Sequence, residues 1–445
     1  MRLEGALPEW LRGRLIRTGP GLFRVGDVEV EHWFDGYGIL YAFELGDRLR
    51  FKQRLPRTRA LEAAERGKRN VATFASDTKR SLFARIFKPV PEITDNVNVN
   101  VVPWRDGAWL AMTESPHHYL VDPETLELRE RERFDDRLPA TMGMTAHPQL
   151  DHTRSAVVNL GTTLGPKSAI VLYRQALGSR ARVVEARIPF KRVPYVHSFG
   201  LSPKYAVIMD HPFRVNPASM LFSNRAFAKH FRWEPEKGAR LLRVDRETGE
   251  VTPYDCPPFF CFHVINQFDD GDDVVLDFVG FDDATIVDQL YLPELDRQFP
   301  PATARPLRAR LRKGHARAEL EPLADVRMEF PQVDYARRHG RRYARAWGTA
   351  IGHRDGKDSA ILRIDLEHGD VAMHDEPGVV FGEPVFVGHP DGAPEEGVIL
   401  TVGTREGRDE SILRVLDAER LEPIATLSID IALPLGFHGN FARAR

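Results

Sequence analysis

The segment LLRVDRETGEVTPY at residues 241–254 is typical of a β-hairpin, and it decides the fold because the same unit recurs along the chain. An apolar strand leads to an aspartate, a short polar turn follows, and a second strand begins. The aspartate can accept hydrogen bonds from the turn backbone, and glycine or a polar residue closes the turn. The other copies are YLVDPETLELRE at 119–130, ILRIDLEHGDVAMH at 361–374 and ILRVLDAERLEPIA at 412–425.

The spacing of these hairpins predicts a β-propeller. Their anchoring aspartates are Asp122, Asp245, Asp365 and Asp417. The separations are about 120, about 120 and about 50 residues, close to multiples of a four-strand propeller blade. A chain of 445 residues then contains about seven or eight blades. The alternative is that such hairpins are common turns in any β protein. We favour the propeller and therefore predict an all-β fold.

Two insertions rich in helix formers or amphipathic residues interrupt the strands, near residues 59–90 and 218–234. We expect helices at 59–69, within 75–89 and within 220–233. Aromatic and basic residues alternate in the last two, so their apolar faces either pack against the fold or lie in a membrane interface. The basic stretch at 305–321 is expected to be a solvated strand and loop, because no aromatic platform for nucleic acid accompanies it.

Composition narrows the functional classes. The net charge is −2 and the pI is about 6.8, so nothing global favours a nucleic-acid partner. No apolar run is long enough to span a membrane, and the first residues do not resemble a signal peptide. Two cysteines, Cys256 and Cys261, exclude a disulfide framework and a thiolate zinc site, although one disulfide between them stays open. We expect a cytoplasmic protein that can contact a membrane surface peripherally.

Four histidines lie beside small or apolar residues near the ends of predicted strands. Propeller blades place their inner strands around one axis, so histidines from different blades can meet there. Four neutral imidazoles would bind a borderline divalent metal: zinc would favour a closed tetrahedron, whereas iron(II) would keep positions free for dioxygen. The alternative for each is a core histidine bonded to a backbone carbonyl. The four candidates are His147 in MTAHPQ, His197 in YVHSFG, His263 in CFHVIN and His438 in LGFHGN.

Other titratable residues divide into buried and surface candidates. Glu114, Glu329 and Glu383 lie among apolar or small residues, where each could accept a hydrogen bond from the outer N–H of a ligand imidazole. Eight histidines lie among charged or turn residues and are predicted to be on the surface. These are His152, His230, His315, His339, His353, His368, His374 and His389.

The chain resembles the carotenoid cleavage oxygenase family in a series of motifs that follow the family order across nearly its whole length. No single motif would suffice, but together they are specific. They are GPGLFR at 19–24, HWFDGYG at 32–38, TDNVNVNVVP at 94–103, TAHPQLD at 145–151, YVHSFGLSPKYAVIMDHPF at 195–213, FFCFHVINQFDD at 259–270, MEFPQVD at 328–334, GEPVFV at 382–387, GVILTV at 397–402 and FHGNF at 437–441.

The resemblance implies one catalytic domain over residues 1–445: a seven-bladed β-propeller with a few helices and loops capping one face. It implies a mononuclear non-haem iron(II) on the axis. The ligands that it carries over are His147, His197, His263 and His438. Glu114, Glu329 and Glu383 would support three of these histidines, and the family gives the residue that matches His147 no such partner.

The implied reaction is scission of a conjugated carbon–carbon double bond by dioxygen, which yields two carbonyl products. A polyene substrate would enter through a hydrophobic tunnel. Phe262, next to His263, is the first candidate to line this tunnel, and Phe259, Phe260 and Phe199 are further candidates. The local sequence is more similar to the animal carotene oxygenases and the related retinoid isomerase than to the plant epoxycarotenoid enzymes. A carotene or apocarotenal is therefore expected, with retinal among the products.

Three alternatives to carotenoid cleavage remain. The first is a stilbene-cleaving oxygenase, although Thr113 stands where such members typically have a lysine that binds the substrate phenol. The second is a retinoid isomerase, which the local similarity raises. The third is a non-enzymatic propeller that binds only lipid or protein.

Overall fold

Seven sheets arranged as propeller blades make up most of the structure, a computed structural model that describes residues 1–297, 303–352 and 359–444. The prediction of an all-β propeller is confirmed. His353, predicted to be on the surface, lies outside the described residues.

The first three blades come mainly from the first half of the chain, and their strands are given in sheet order. The first contains Gly439–Arg443, Gly13–Leu22, Tyr37–Leu45 and Arg50–Arg54. The second contains Asn100–Pro103, Trp109–Met112, Tyr119–Val121 and Leu128–Arg131. In the third, Gly143–Met144 and Gln149–Asp151 both pair with Ala156–Thr163, which is followed by Ala169–Ala176 and Arg182–Pro189.

The other four blades follow in chain order. The fourth contains Gly200–Leu201, Tyr205–Asp210, Ala239–Asp245 and Val251–Cys256. The fifth contains Val264–Asp270, Asp273–Gly280, Arg305–Leu311 and Glu319–Pro322. The sixth contains Glu329–Gln332, Arg345–Ile351, Ser359–Asp365 and Val371–His374. The seventh contains Val379–Gly388, Gly397–Arg405, Ser411–Asp417, Pro423–Ile429 and the N-terminal Arg2–Gly5.

Short elements lie outside the blades. One small sheet joins Val193–Pro194, Phe213–Val215 and Phe231–Trp233, and two pairs join Arg24–Val25 to Val28–Glu29 and Val71–Ala72 to Glu92–Ile93. The α-helices are Arg59–Glu65, Leu82–Phe87, Thr285–Gln289, Leu292–Arg297 and Tyr335–Arg338. The 3₁₀ turns are Trp33–Asp35, Pro217–Met220, Ala228–His230 and Pro235–Lys237.

Both chain ends take part in closing the ring. Strand 439–443 pairs antiparallel with the start of strand 13–22, with Arg17 opposite Gly439. Strand 2–5 pairs with strand 423–429 in the neighbouring blade. The radial arrangement leaves each blade only short, protected sheet edges, and closure encloses the hydrophobic contacts between adjacent blades.

All four repeated hairpins form as the sequence predicts. Each anchoring aspartate accepts hydrogen bonds from the two turn N–H groups two and three residues ahead, at 2.8–3.0 Å. For Asp245 the donors are the N–H groups of Glu247 and Thr248. The local pattern therefore determines these turns.

The helix predictions hold only in part. Helices form at 59–65 and 82–87, but the prediction of a helix within 220–233 is wrong. There the chain makes a 3₁₀ turn and then a strand at 231–233 that pairs with 213–215. Phe231 is buried by this pairing, so tertiary contacts override the local helical pattern. The basic stretch contains the expected strand, and its Arg308 pairs with the buried Asp277.

The two cysteines are free, so the disulfide that the sequence left open is not formed. Cys261 is fully buried, and burial raises its pKa well above the ordinary value. Burial also raises the pKa of the Cys256 thiol to about 12. Both residues pack in the apolar core between the fourth and fifth blades and act there as small hydrophobic side chains.

The hairpin turns give a stability prediction. Replacement Asp245→Ala removes the acceptor for two backbone N–H groups, and we expect the free energy of unfolding to fall by about 1 kcal/mol. Urea denaturation measures the change. Asp245→Asn is the matched control, because its side-chain carbonyl can accept the same hydrogen bonds. Equal loss in both variants would contradict the proposed role of this side chain.

Candidate metal centre

Four histidines from four blades converge near the propeller axis. His147 lies between two short inner strands, and the other three come shortly before the inner strands at 200–201, 264–270 and 439–443. One ligand atom from each residue lies within 4.8 Å of those of the other three. The Nε2–Nε2 distances are 2.8 Å for His147–His197 and 3.2 Å for both His197–His263 and His263–His438.

Three hydrogen bonds, two buried and one partly buried, fix the orientation of three of these rings. His197 Nδ1–H donates to Glu114 Oε1 at 2.6 Å. The Nδ1–H groups of His263 and His438 donate in the same way to Glu329 Oε2 at 2.5 Å and to Glu383 Oε1 at 2.7 Å. A carboxylate only accepts, so each Nδ1 carries a proton, and in the neutral form of the ring Nε2 presents a lone pair to the centre. Among the described residues, no carboxylate bonds to His147.

The centre has the chemistry of a metal site. The inward lone pairs of His197, His263 and His438 have no proton between them, so they repel one another unless a cation binds among them. Burial and the neighbouring imidazoles lower the pKa of His147 well below its ordinary value, and burial lowers that of His438. Both are therefore neutral near pH 7, the form that binds metal. Imidazole ligands without thiolate or carboxylate suit a borderline divalent ion.

Glu114 and Glu329 each accept one more hydrogen bond. The Tyr195 hydroxyl donates to Glu114 Oε2 at 2.7 Å, and burial and this carboxylate raise the tyrosine pKa well above its ordinary value. The backbone N–H of Phe330 donates to Glu329 Oε2 at 2.7 Å. Phe330 has a φ of +50°, a strained conformation for a non-glycine residue. Its ring centroid lies 5.6 Å from those of His263 and His438.

A cavity of about 730 Å³ opens beside the histidine cluster. His197, His263 and His438 form part of its wall, and most of the remaining wall is apolar. The aromatic residues that line it are Trp33, Phe34, Phe74, Tyr195, Phe227, Phe231, Phe262, Phe281, Phe330 and Phe437.

The predicted substrate residues divide into two groups. Phe262 and Thr113 line the cavity. Phe199, Phe259 and Phe260 do not line it, because their side chains are buried in the packed core. Phe260 lies behind the wall, with its ring centroid 4.8 Å from that of Phe262, so it supports the wall without reaching the cavity.

Most of the aromatic wall was not predicted. Phe437 precedes His438 just as Phe262 precedes His263, so the same adjacency could have found it. The 3₁₀ turn at 33–35 brings Phe34 to the wall. In the same turn, the Asp35 carboxylate accepts a hydrogen bond from the backbone N–H of Phe74 at 2.8 Å. No local sequence signal relates these distant segments to the histidines.

Of the described histidines that the sequence places on the surface, all but one are exposed or partly exposed. His152, His315 and His368 are exposed, and His339, His374 and His389 are partly exposed. The prediction for His230 is wrong, because this residue is buried and lines the cavity. Its Nδ1 lies 3.1 Å from the Ser219 hydroxyl. The pairing of strand 231–233 turns this segment inward.

An apolar patch adjoins the cavity mouth. Helix 82–87 exposes four large apolar side chains, of which Phe83 and Phe87 are 71% and 72% exposed. The N–H of Phe222 donates to the carbonyl of Pro89, which joins the two insertions at the surface. Val90 and Leu221 belong to both the patch and the cavity wall. The apolar patch comprises Leu82, Phe83, Ile86, Phe87, Val90, Leu221 and Phe222.

Comparison with known proteins gives the same assignment as the motifs. The profile of the retinal pigment epithelial membrane protein family matches residues 1–443. The mitochondrial carotenoid-cleaving dioxygenase of Mustela putorius furo is 28% identical, with 99% of this chain and 93% of that protein covered. The chloroplastic carotenoid cleavage dioxygenase 8 homolog A of Oryza sativa subsp. japonica is 32% identical, with 98% and 84% covered.

A solved structure matches the whole fold. Cobalt-substituted apocarotenoid oxygenase of Synechocystis superposes with a TM-score of 0.87 at 25% identity, over 100% of this chain and 95% of that chain.

The fold and the histidine cluster define a propeller oxygenase with a four-histidine metal site. The chain belongs to the carotenoid cleavage oxygenase family, also called the retinal pigment epithelial membrane protein family, and is a dioxygenase of that class. In its described part, no helix is long and apolar enough to cross a membrane.

The carboxylate contacts predict how metal affinity depends on residues that are not ligands. Glu329→Gln replaces the anionic acceptor of the His263 Nδ1–H with a neutral amide. We expect affinity for Co²⁺ to fall by about 10–100-fold, measured by competition with a chromophoric chelator. Glu319→Gln, an exposed change on the outer strand of the fifth blade, should leave affinity unchanged. Equal affinities of wild type and Glu329→Gln would refute a role for this contact in metal binding.

Proposed function

We propose that the protein is an iron(II)-dependent oxygenase that cleaves a conjugated carbon–carbon double bond of a carotenoid or apocarotenoid with dioxygen. Two carbonyl products form. The observation that carries this proposal is the junction of the histidine cluster with an aromatic cavity, since His197, His263 and His438 are part of the cavity wall. The names of the curated relatives, which describe carotenoid cleavage, support the same reaction.

The proposed ligands are His147, His197, His263 and His438. Iron(II) bound by them would supply the activation of dioxygen. The protein's own contribution is to orient three of these imidazoles, those of His197, His263 and His438, through the carboxylates of Glu114, Glu329 and Glu383. A set without anionic ligands favours the divalent state of the ion.

The proposed substrate is a rigid, apolar polyene, and retinal is among the expected products. Phe262 would contact the polyene beside the metal, because its ring lies 5.4 Å from that of His197. Aromatic faces exclude water, restrict the polyene and stabilise positive charge that develops along it. Thr113 gives this part of the wall a small neutral side chain, which favours a polyene over a hydroxystilbene.

A substrate panel tests this function. Iron-loaded protein is incubated under ¹⁸O₂ with β-carotene, several apocarotenals and a 4-hydroxystilbene, and the products are identified by mass spectrometry. We expect labelled carbonyl products from a carotenoid or apocarotenal and none from the stilbene. Turnover of the stilbene alone would replace the proposal with stilbene cleavage. Absence of iron binding and of any cleavage would exclude both.

The wall assignment predicts different effects for two neighbouring phenylalanines. Phe262→Ala removes an aromatic contact with the polyene, and we expect kcat/KM to fall on the order of tenfold. Phe259→Ala is the matched control, because it removes a buried ring from the same segment without changing the cavity wall. It should lower the free energy of unfolding by about 3–5 kcal/mol and leave the scission site unchanged. A larger kinetic effect of Phe259→Ala would contradict the assignment.

We also propose that the apolar patch docks on a membrane, from which the substrate enters the cavity. Val90 and Leu221 support this because they join the patch to the cavity wall. Lys79, Lys88 and Arg225 lie exposed in the same two insertions. Apolar side chains bordered by cations suit an interface that contains anionic lipids.

Charge placed in the patch should prevent docking. The double change Phe83→Glu and Phe87→Glu should reduce binding to vesicles of phosphatidylcholine and phosphatidylserine by at least about tenfold in a sedimentation assay. Cleavage of substrate in these vesicles should fall, while cleavage of detergent-dispersed substrate should remain. The control is Leu177→Glu with Val183→Glu, a pair exposed on the third blade. Equal vesicle binding by both double variants would argue against the docking role.

A further inference from the structure

The three glutamates of the metal centre differ in their charged neighbours. Glu114 and Glu329 receive their additional hydrogen bonds from a tyrosine hydroxyl and a backbone N–H, both neutral. Glu383 also accepts neutral hydrogen bonds, from the Gly439 N–H and the Gln332 side-chain amide, but in addition it pairs with Arg17, whose Nη1 lies 3.4 Å from Glu383 Oε2. The two side chains are only 1% and 2% exposed. In the described part of the chain, no other lysine or arginine forms an ion pair with any of these glutamates.

Arg17 also joins three segments of the centre by backbone contacts. Its Nη1 donates to the carbonyl of Glu383 at 3.1 Å, and its Nη2 donates to the carbonyl of Phe437 at 2.9 Å. Phe437 immediately precedes His438. One guanidinium therefore holds the glutamate that orients His438 and the backbone that carries this histidine.

A glycine next to the ligand His438 leaves space for the Arg17 side chain. Gly439 follows His438, lies opposite Arg17 across the strand pair and donates its N–H to Glu383 Oε2 at 3.0 Å. A Cβ on Gly439 would lie 2.4 Å from Arg17 Cγ. The same Cβ would lie 2.6 Å from the Ile16 carbonyl oxygen, so both the Arg17 side chain and the close strand pairing require glycine at this position.

The charges of the centre balance for a divalent ion. Three carboxylates, of which those of Glu329 and Glu383 are buried, and one guanidinium leave two negative charges, and neutral imidazole ligands add none. A divalent cation makes the group neutral, whereas a trivalent cation leaves one positive charge. A net buried charge is unfavourable in a low-dielectric interior. Without Arg17, the charges of the three carboxylates and a trivalent ion would sum to zero.

We propose that Arg17 is a positioning residue and counter-charge of the metal centre: it holds Glu383 and the His438 backbone in place, and its positive charge favours the divalent over the trivalent ion. The proposal rests on the proposed iron site. Arg17 lies in the first blade, is not a metal ligand and does not line the cavity, yet it would influence the oxidation state of the bound ion.

The test separates charge from shape. Wild type, Arg17→Met and Arg17→Lys are loaded with iron, without any carotenoid, and the ferric signal is followed by electron paramagnetic resonance in a redox titration. We expect Arg17→Met to raise the ferric-to-ferrous ratio at a fixed potential on the order of tenfold. Arg17→Lys retains the charge and should remain near wild type. Arg17→Gln is used if Arg17→Met does not fold, with the same expected shift.

Arg308→Met is the control, because it removes another arginine that pairs with a buried carboxylate, Asp277. It should lower stability without changing the ferric-to-ferrous ratio. An unchanged ratio in the neutral Arg17 variants would overturn the inference, as would an equal shift in Arg17→Lys, because the role would then be only structural. Wild type that binds no iron would instead refute the proposed function, so the two failures are distinguishable.

Discussion

Ring closure is the constraint on which this structure depends. The strand at 439–443 completes the first blade only by pairing with residues 13–17, more than four hundred positions earlier in the chain. This pairing places His438 at the axis and sets Gly439 opposite Arg17. A propeller in which this pairing fails would lose one ligand, the contact of Arg17 with the His438 segment and the strand that covers the edge of strand 13–22 together. The fold and the metal centre are therefore coupled through one strand pair.

Within the closed ring, carboxylate–imidazole hydrogen bonds convert four histidines into a metal site. Each bond crosses between blades, because Glu114, Glu329 and Glu383 come from different sheets or the loops beside them than the histidines they contact. These hydrogen bonds fix the tautomer of three rings. They also hold the Nε2 lone pairs close to one another despite their mutual repulsion. His147 lacks such a partner among the described residues and is held chiefly by its position between two short strands.

The apolar residues have two separate roles around this centre. Inside, phenylalanines from distant segments form one wall of the cavity, and the strained backbone at Phe330 directs a ring towards two ligand histidines. Outside, helix 82–87 leaves its apolar side chains exposed instead of packing them on the blades. The exposed fractions of Phe83 and Phe87 decide against packing, one of the two alternatives that the amphipathic pattern left open.

Local chemistry made part of the molecule predictable. An aspartate that can bond two turn N–H groups determines a hairpin almost unaided, so Asp122, Asp245, Asp365 and Asp417 indicated the blades correctly. Histidines and glutamates in apolar surroundings indicated a buried site for the same reason, since such side chains need partners. By contrast, the helix expected within 220–233 failed because pairing of strand 231–233 outweighed its helical pattern.

The sequence by itself determined the repeated hairpins, the all-β class and the set of seven residues that meet at the centre. Only the tertiary structure decided which aromatic rings reach the cavity: Phe262 does, while Phe259 and Phe260 from the same segment lie in the core. It alone brought Arg17 to Glu383. The reason is physical, because turns and strand patterns arise from neighbouring residues, whereas direction into a cavity and pairing of buried charges depend on how separate blades pack.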